Sequence, residues 1–262
     1  MLQLKKSIHL ESLNLPLKKA IHVAADLGAD AVEINARTQL RPAELSRTGV
    51  RHFRKMLADL NLKVSAIHFP TRRGYDIEDD LDRRIDATKA AMAMAFDLGC
   101  NVVCNHIGRI PEDPQSQAWR TMTQALMDLG NHSHKSGAWL AAKTGSEDGQ
   151  KLNEFLDVLP VGAVGVDFDP GNLVINGFSA SESITALAAR VLNFRVRDAV
   201  HDLGAGRGLE VQLGRGTIDL AFLLSALEEK SYHGYLTIQR QTDQNPVVEC
   251  GQAIEYLTNL FS

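Results

Sequence analysis

"KSGAWLAAKTG", Lys135 to Gly145, holds the junction on which the fold turns. It begins at the end of a helical pattern, passes a glycine able to take a left-handed helix cap, and enters a run of small and apolar residues that reads as a buried strand. That strand ends in Lys143. An ammonium at the end of a buried strand needs a partner or a site, because unpaired burial of its charge is costly.

The same junction recurs along the chain, as in "DLGAD" (26–30) and "DLGCN" (97–101). Strand-like runs lie at 2–10, 31–35, 63–69, 101–107, 138–143, 163–169, 191–198 and 235–239. Between them apolar residues move to helical spacing. Examples are Phe53, Met56, Leu57 and Leu60; Ile85, Thr88, Met92 and Phe96; and Ile254, Leu257 and Phe261. Eight strand-then-helix units without a linker predict a single (β/α)8 TIM barrel over residues 1–262. A doubly wound open sheet would want a glycine-rich phosphate fingerprint after its first strand, and "HLESLNLPLKK" (9–19) has none.

The composition agrees with one compact domain. The 262 residues are 44% apolar with a formal net charge of -4, which offers no field for nucleic acid, and "TRRGYD" (71–76) is too short a basic cluster to track phosphates. Three cysteines, Cys100, Cys104 and Cys250, suit reduced thiols, and no second pair completes a zinc site around the first two. The amino-terminal run alternates like a strand rather than a signal peptide, and no apolar run reaches membrane-spanning length. The expectation is a cytoplasmic protein with no membrane and no nucleic-acid partner.

Side chains at the carboxyl ends of barrel strands converge on one mouth. In chain order those ends carry His9 or Glu11, Glu33, His68, His106, Lys143, Asp169, then Arg195 and Arg197 with Asp198, and Gln239. Polar groups at strand after strand mark this mouth as the candidate site. The following loop adds His201, Arg207, Arg215 and several glycines, whose backbone N–H groups and guanidinium forks suit an anion. Within it "GRGTID" (214–219) also reads as a helix cap, with Thr217 or Asp219 near the first turn.

"VGVDFDPGNL" (164–173), "FRVRDA" (194–199) and "VQLGRGTIDLAFLLSALEEKSYHGYLTIQ" (211–239) resemble the carboxyl-terminal half of the xylose-isomerase-like barrel superfamily of sugar and sugar-phosphate isomerases and epimerases, which includes an apurinic endonuclease branch. "AVEIN" (31–35), "AIHFP" (66–70) and "CNHIG" (104–108) resemble its second, third and fourth strands. The resemblance implies a divalent metal held by glutamate, aspartate, histidine and glutamate on strands five to eight. The corresponding residues are Lys143, Asp169, Arg195 and Gln239, so of the ligands only the aspartate is kept.

Two cations in a ligand shell repel a hard divalent ion. The expectation is therefore a mouth without metal, in which Lys143 and Arg195 supply the positive charge and Asp169 is their counter-ion. A relocated metal on Asp169, Asp167, His68 or His106 is the alternative, with Asp167 expected on the opposite side of its strand from Asp169. The implied ligand is a small anionic sugar-like molecule, bound by His68, His106, Arg195, Arg197 and Arg207. Lys143, Asp169, Gln239 and Glu33 are the catalytic candidates for proton abstraction next to a carbonyl and for holding the enediolate. The identity of the base stays open: an arginine beside Lys143 favours its release of a proton, and Asp169 pulls the other way. Two other readings use the same residues. One is a Schiff-base lyase or aldolase on Lys143, and the other is a non-catalytic barrel that only binds a metabolite. The resemblance also implies a homodimer; the endonuclease branch is disfavoured because its extra histidine and carboxylate ligands are missing.

Overall fold

The computed structural model describes residues 5–201, 208–241 and 245–260. Its centre is a closed parallel barrel of eight strands, each hydrogen-bonded to two neighbours. These are β1 (Lys6–His9), β2 (Ala31–Asn35), β3 (Lys63–His68), β4 (Val102–Asn105), β5 (Trp139–Lys143), β6 (Val164–Phe168), β7 (Val191–Val196) and the closing strand β10 (Leu236–Ile238). Around them run α1 (Leu17–Asp26), α2 (Arg47–Asp59), α3 (Leu81–Leu98), α4 (Gln117–Ser136), α5 (Gly149–Asp157), α7 (Ala180–Leu187), α8 (Leu220–Glu229) and α9 (Pro246–Leu260), with a short α6 (Pro170–Ile175) directly after β6.

The junction chemistry matches its sequence signature. Gly28, Gly99 and Gly137 follow α1, α3 and α4 with φ of 84°, 86° and 74°, a region that costs glycine little and reverses the chain into the next strand. Asp219 caps α8 by accepting from the Phe222 N–H at 3.0 Å. The apolar helix faces pack on the outside of the barrel as their spacing predicts, with one exception. Phe96 is 60% exposed, and Ala95 takes the buried position instead. Phe261 lies outside the described residues.

Two departures from the sequence reading bear on the site. After β7 the chain does not go straight to a helix but forms an antiparallel hairpin, β8 (Asp198–Val200) with β9 (Leu209–Val211). In addition, the pairing of β2 with β3 slips between Val32 and Glu33, and that of β6 with β7 slips between Val166 and Asp167. Such bulges re-aim the side chains beside them, and here each one sits next to an interior carboxylate.

Candidate functional site: an ion-paired barrel mouth

The barrel interior is charged where barrels of this architecture are usually filled by aliphatic side chains. Arg195 lies there fully buried. Its Nη1 and Nη2 donate to the two oxygens of Glu33, each at 2.8 Å, its Nε donates to Asp167 Oδ2 at 2.8 Å, and Nη1 also reaches Gln239 Oε1 at 3.0 Å. Asn193 donates to the other oxygen of Asp167 at 2.7 Å. His9 Nδ1 lies 2.6 Å from Glu33 Oε2. Burial alone would push Glu33 toward its neutral acid, but Arg195 and then His9 hold its carboxyl well below the usual range. Burial likewise opposes the charge on His9, and the carboxylates Glu33 and Glu11 outweigh it, raising His9 above the ordinary imidazole value.

Nearer the mouth, Asp169 is equally buried and holds two cations. Lys143 Nζ is 3.0 Å and Arg197 Nη1 is 2.7 Å from the same oxygen, Oδ2. Its Oδ1 caps α6 by accepting from Asn172 N–H at 2.8 Å. Arg197 and Lys143 overcome the effect of burial and keep Asp169 ionised far down the acid range. From Arg197 the pairing continues to Glu210 at 2.5 Å, from Glu210 to Arg240 at 2.9 Å, and from Arg240 to Glu249 at 2.8 Å. Along this row cations and carboxylates alternate, and Lys143, with 15% of its side chain exposed, stands at the end that faces the mouth cavity.

Lys143 faces a cavity of about 560 Å3, lined also by His106, Arg109, Ser146, Asn172 and Asn176. The residues named on its wall include two cations and no carboxylate. His106 has a defined tautomer: Gly108 N–H donates to its Nδ1 at 3.1 Å, so Nε2 carries the proton and points it at Ser146 Oγ, 2.9 Å away. Burial, then Lys143, depress the imidazole below its usual value and favour this neutral form. Gly145 has φ 114°, and a Cβ there would lie 2.2 Å from Asn172 Nδ2, so the loop that shapes this wall needs glycine. A larger cavity, about 690 Å3, opens at the opposite end of the barrel beside Trp139, Val161 and Leu192. Among the described residues on its wall the one ionisable group is Arg190, which is already held by Asn153 and Asp157.

Several expectations change against this geometry. Asp167 does not face away from Asp169: residues two apart in extended chain share a face, and Asp167 pairs with Arg195 while Asp169, one residue past β6, pairs with Lys143 and Arg197. The counter-ions of Arg195 are Glu33 and Asp167 rather than Asp169, and the cation that shares Asp169 with Lys143 is Arg197. Arg195, Glu33 and Gln239 therefore form one layer beneath the mouth. His68 stands on the β1–β3 wall, its ring 5.0 Å from that of His9, and His106 on the β4–β5 wall. Arg207 lies outside the described residues. In the glycine loop, the anion gripped by the backbone is the carboxylate of Asp198, which accepts from Gly214 and Gly216 at 2.9 and 2.8 Å and from Ala199 at 2.9 Å. Glu147 was missed by the sequence reading: burial pushes its carboxyl up to about 7, and "GSEDG" (145–149) reads only as a polar turn.

The donor set at the four positions implied by the resemblance does not suit a divalent cation. Asp169 already neutralises two fixed cations, and Gln239 is engaged by Arg195. Lys143 and Arg195 bring positive charge where a cage needs lone pairs.

An eight-stranded parallel barrel with ionisable strand ends converging on one mouth defines a broad class of enzymes and binding proteins. Within it, a model of the family described as xylose isomerase-like TIM barrel matches residues 21–260, and the chain belongs to that family. Among curated proteins, the chain is similar to an inosose dehydratase from Clostridium perfringens, 25% identical over 167 residues, which cover 55% of this chain and 56% of that protein. The chain thus spans little more than half the length of this relative. Among solved structures, a xylose isomerase domain protein from Planctomyces limnophilus superposes with a TM-score of 0.84 at 24% identity, covering 98% of this chain and 95% of that one. A D-allulose 3-epimerase from Methylomonas sp., in complex with D-allulose, does so with a TM-score of 0.77 at 16% identity, covering 99% and 98%. At these identities the structural likeness is one of fold. Among the described residues no helix is long and apolar enough to cross a membrane.

Proposed function

We propose that the protein is a sugar or sugar-acid isomerase or epimerase in which fixed side-chain cations take the place of the family's divalent metal on strands five to eight. The observation that carries this reading is the shared oxygen of Asp169, held by Lys143 and Arg197 beside a cavity whose named wall residues bring cations and no carboxylate. A polyhydroxy ketone or aldehyde bearing a carboxylate or phosphate fits such a wall. Lys143 and Arg109 would hold the anionic group or the developing enediolate oxygen, with the Nε2–H of His106 as a further donor. Asp169 and Glu33, saturated by cations and held ionised, are poor proton acceptors. Lys143, charged against Asp169, serves this cavity as the cation and hydrogen-bond donor at the substrate oxygen rather than as the proton acceptor.

A second reading is favoured by the curated relative, whose name is that of a dehydratase. Loss of water beside a carbonyl also begins with removal of the neighbouring proton, so the same residues serve either outcome. The test is exchange of that proton. Ketoses, inososes and their acid or phosphate derivatives are incubated with the protein in deuterated water and a chelator, and label is followed by NMR. Incorporation of deuterium with an isomerised, epimerised or dehydrated product supports catalysis. Saturable binding with no exchange on any of them rejects it in favour of a metabolite-binding barrel.

A further inference from the structure

On the opposite wall of the mouth, three side chains that the reading above leaves without a role stand together. His9, Glu11 and His68 each present a ligand atom within 4.8 Å of the others. Parallel pairing of β2 with β1 and β3 makes the cluster, since it sets His9 beside Glu33 and Asn35 beside His68. Glu11 sits in the 3-10 turn that follows β1.

His9 and Glu11 are already held in place. His9 gives its Nδ1 side to Glu33, which leaves Nε2 facing Glu11 Oε2 at 3.4 Å. A carboxylate behind a histidine is the usual device for fixing the orientation of a metal-binding imidazole and raising its basicity. Glu11 is itself held, by Asn35 Nδ2 at 2.6 Å and by the Thr38 hydroxyl; His9 first, then Thr38 and Asn35, outweigh burial and lower its carboxyl to about 2. His68 Nδ1 is buried with no hydrogen-bond partner among the described residues, an orphan that a protein interior seldom tolerates without a ligand or water.

We propose that His9, Glu11 and His68 bind one divalent first-row transition-metal ion, Zn2+ by preference, at the β1–β3 wall of the mouth. Two imidazoles and one carboxylate suit such an ion and not Mg2+ or Ca2+. In a tetrahedral zinc site neighbouring donor atoms are about 3.3 Å apart, a separation that His9 and Glu11 already have. No pair, all lying within 4.8 Å, has more than about 1.5 Å to close to reach the same value. Three protein donors leave a position open for water or a substrate oxygen. Glu11, with 34% of its side chain exposed, puts that position in the mouth. The site shares no residue with Lys143, Asp169 or Arg197 and does not depend on the fixed-charge reading.

The experiment is titration of the metal-stripped protein with Zn2+ by calorimetry, paired with electron paramagnetic resonance of the Cu2+-loaded protein to identify donor atoms. The expected result is one ion per chain, two imidazole nitrogens on the copper, and affinity reduced at least about tenfold in both Glu11→Gln and His68→Ala. Glu11→Gln is conservative and partly exposed, so it reads out the site even if His68→Ala fails to fold. Absence of stoichiometric binding overturns this inference and leaves the fixed-charge reading standing. Stoichiometric binding through oxygen donors alone, indifferent to Glu11→Gln, overturns this inference, and if Asp169→Asn abolishes that binding it overturns the fixed-charge reading as well. Imidazole coordination indifferent to Glu11→Gln and His68→Ala overturns the inference by placing the ion on other histidines.

Discussion

Arg197 Nη1 and Lys143 Nζ approach one oxygen of Asp169, at 2.7 and 3.0 Å, inside a barrel that leaves the aspartate no solvent exposure. A single buried carboxylate thus holds together two cations that would otherwise repel each other. In the family arrangement implied by the resemblance, this aspartate faces a metal. Here the positive charge is covalently part of the chain.

Removing that carboxylate charge leaves both cations without their shared counter-ion. Asp169→Asn is expected to cost about 3 to 5 kcal/mol of stability, a fall in melting temperature on the order of 10 °C for a chain of this size. Differential scanning calorimetry checks it. A change within a degree or two would mean that solvent already screens the pair.

Arg195 answers Glu33, Asp167 and Gln239 at once, which only a planar fork does. Arg195→Lys keeps the charge and loses most of these bonds, so we expect on the order of 3 kcal/mol of destabilisation, read from the denaturation midpoint in urea. Unchanged stability would show that one ammonium satisfies both carboxylates.

How far these pairings were legible in the sequence is uneven. The strand and helix beat follows from local periodicity, and the polar strand ends followed from the strands. Which ends meet did not. Arg195 finds Glu33 at a separation of 162 positions because closure of the barrel sets β7 across from β2, and no local pattern encodes that. The bulges at Glu33 and Asp167 and the three-residue strands of the β8–β9 hairpin are too short for periodicity to register. Asp198 looked like another mouth residue, and only the folded loop places the N–H groups of Gly214 and Gly216 on it.

Glu147 gives the protein a specific pH response. Its folded carboxyl titrates near 7 against an ordinary value of 4.5, so the fold prefers the neutral acid. Its contribution to stability is full below about pH 4.5 and is lost as pH rises through 7. Glu147→Gln should therefore be the more stable protein at pH 8, by on the order of 2 kcal/mol, with the gap closing toward pH 4.5. Thermal denaturation of both proteins across that range decides it; parallel curves would contradict the shift.

The acid limb has a different origin. Glu33 is held below its ordinary value, and its stabilising contribution, present above about pH 4.5, fades as pH falls through the depressed folded value. His68 is depressed by burial and then by His9, so it too favours the fold above its ordinary 6.5 and works against it as pH falls below that value. His68→Asn should soften the loss of stability between pH 6.5 and 5, measured by urea denaturation; an identical acid limb would argue that His68 charges freely in the folded state.

The central claim is that Lys143 supplies charge where the family places a metal. The direct measurement is calorimetric binding of sugar acids and sugar phosphates to wild type and Lys143→Met with a chelator present throughout. The account predicts saturable binding without metal, weakened about 10- to 100-fold in Lys143→Met by loss of a charged hydrogen bond. Binding that appears only on adding a divalent ion and is the same in both proteins would contradict it.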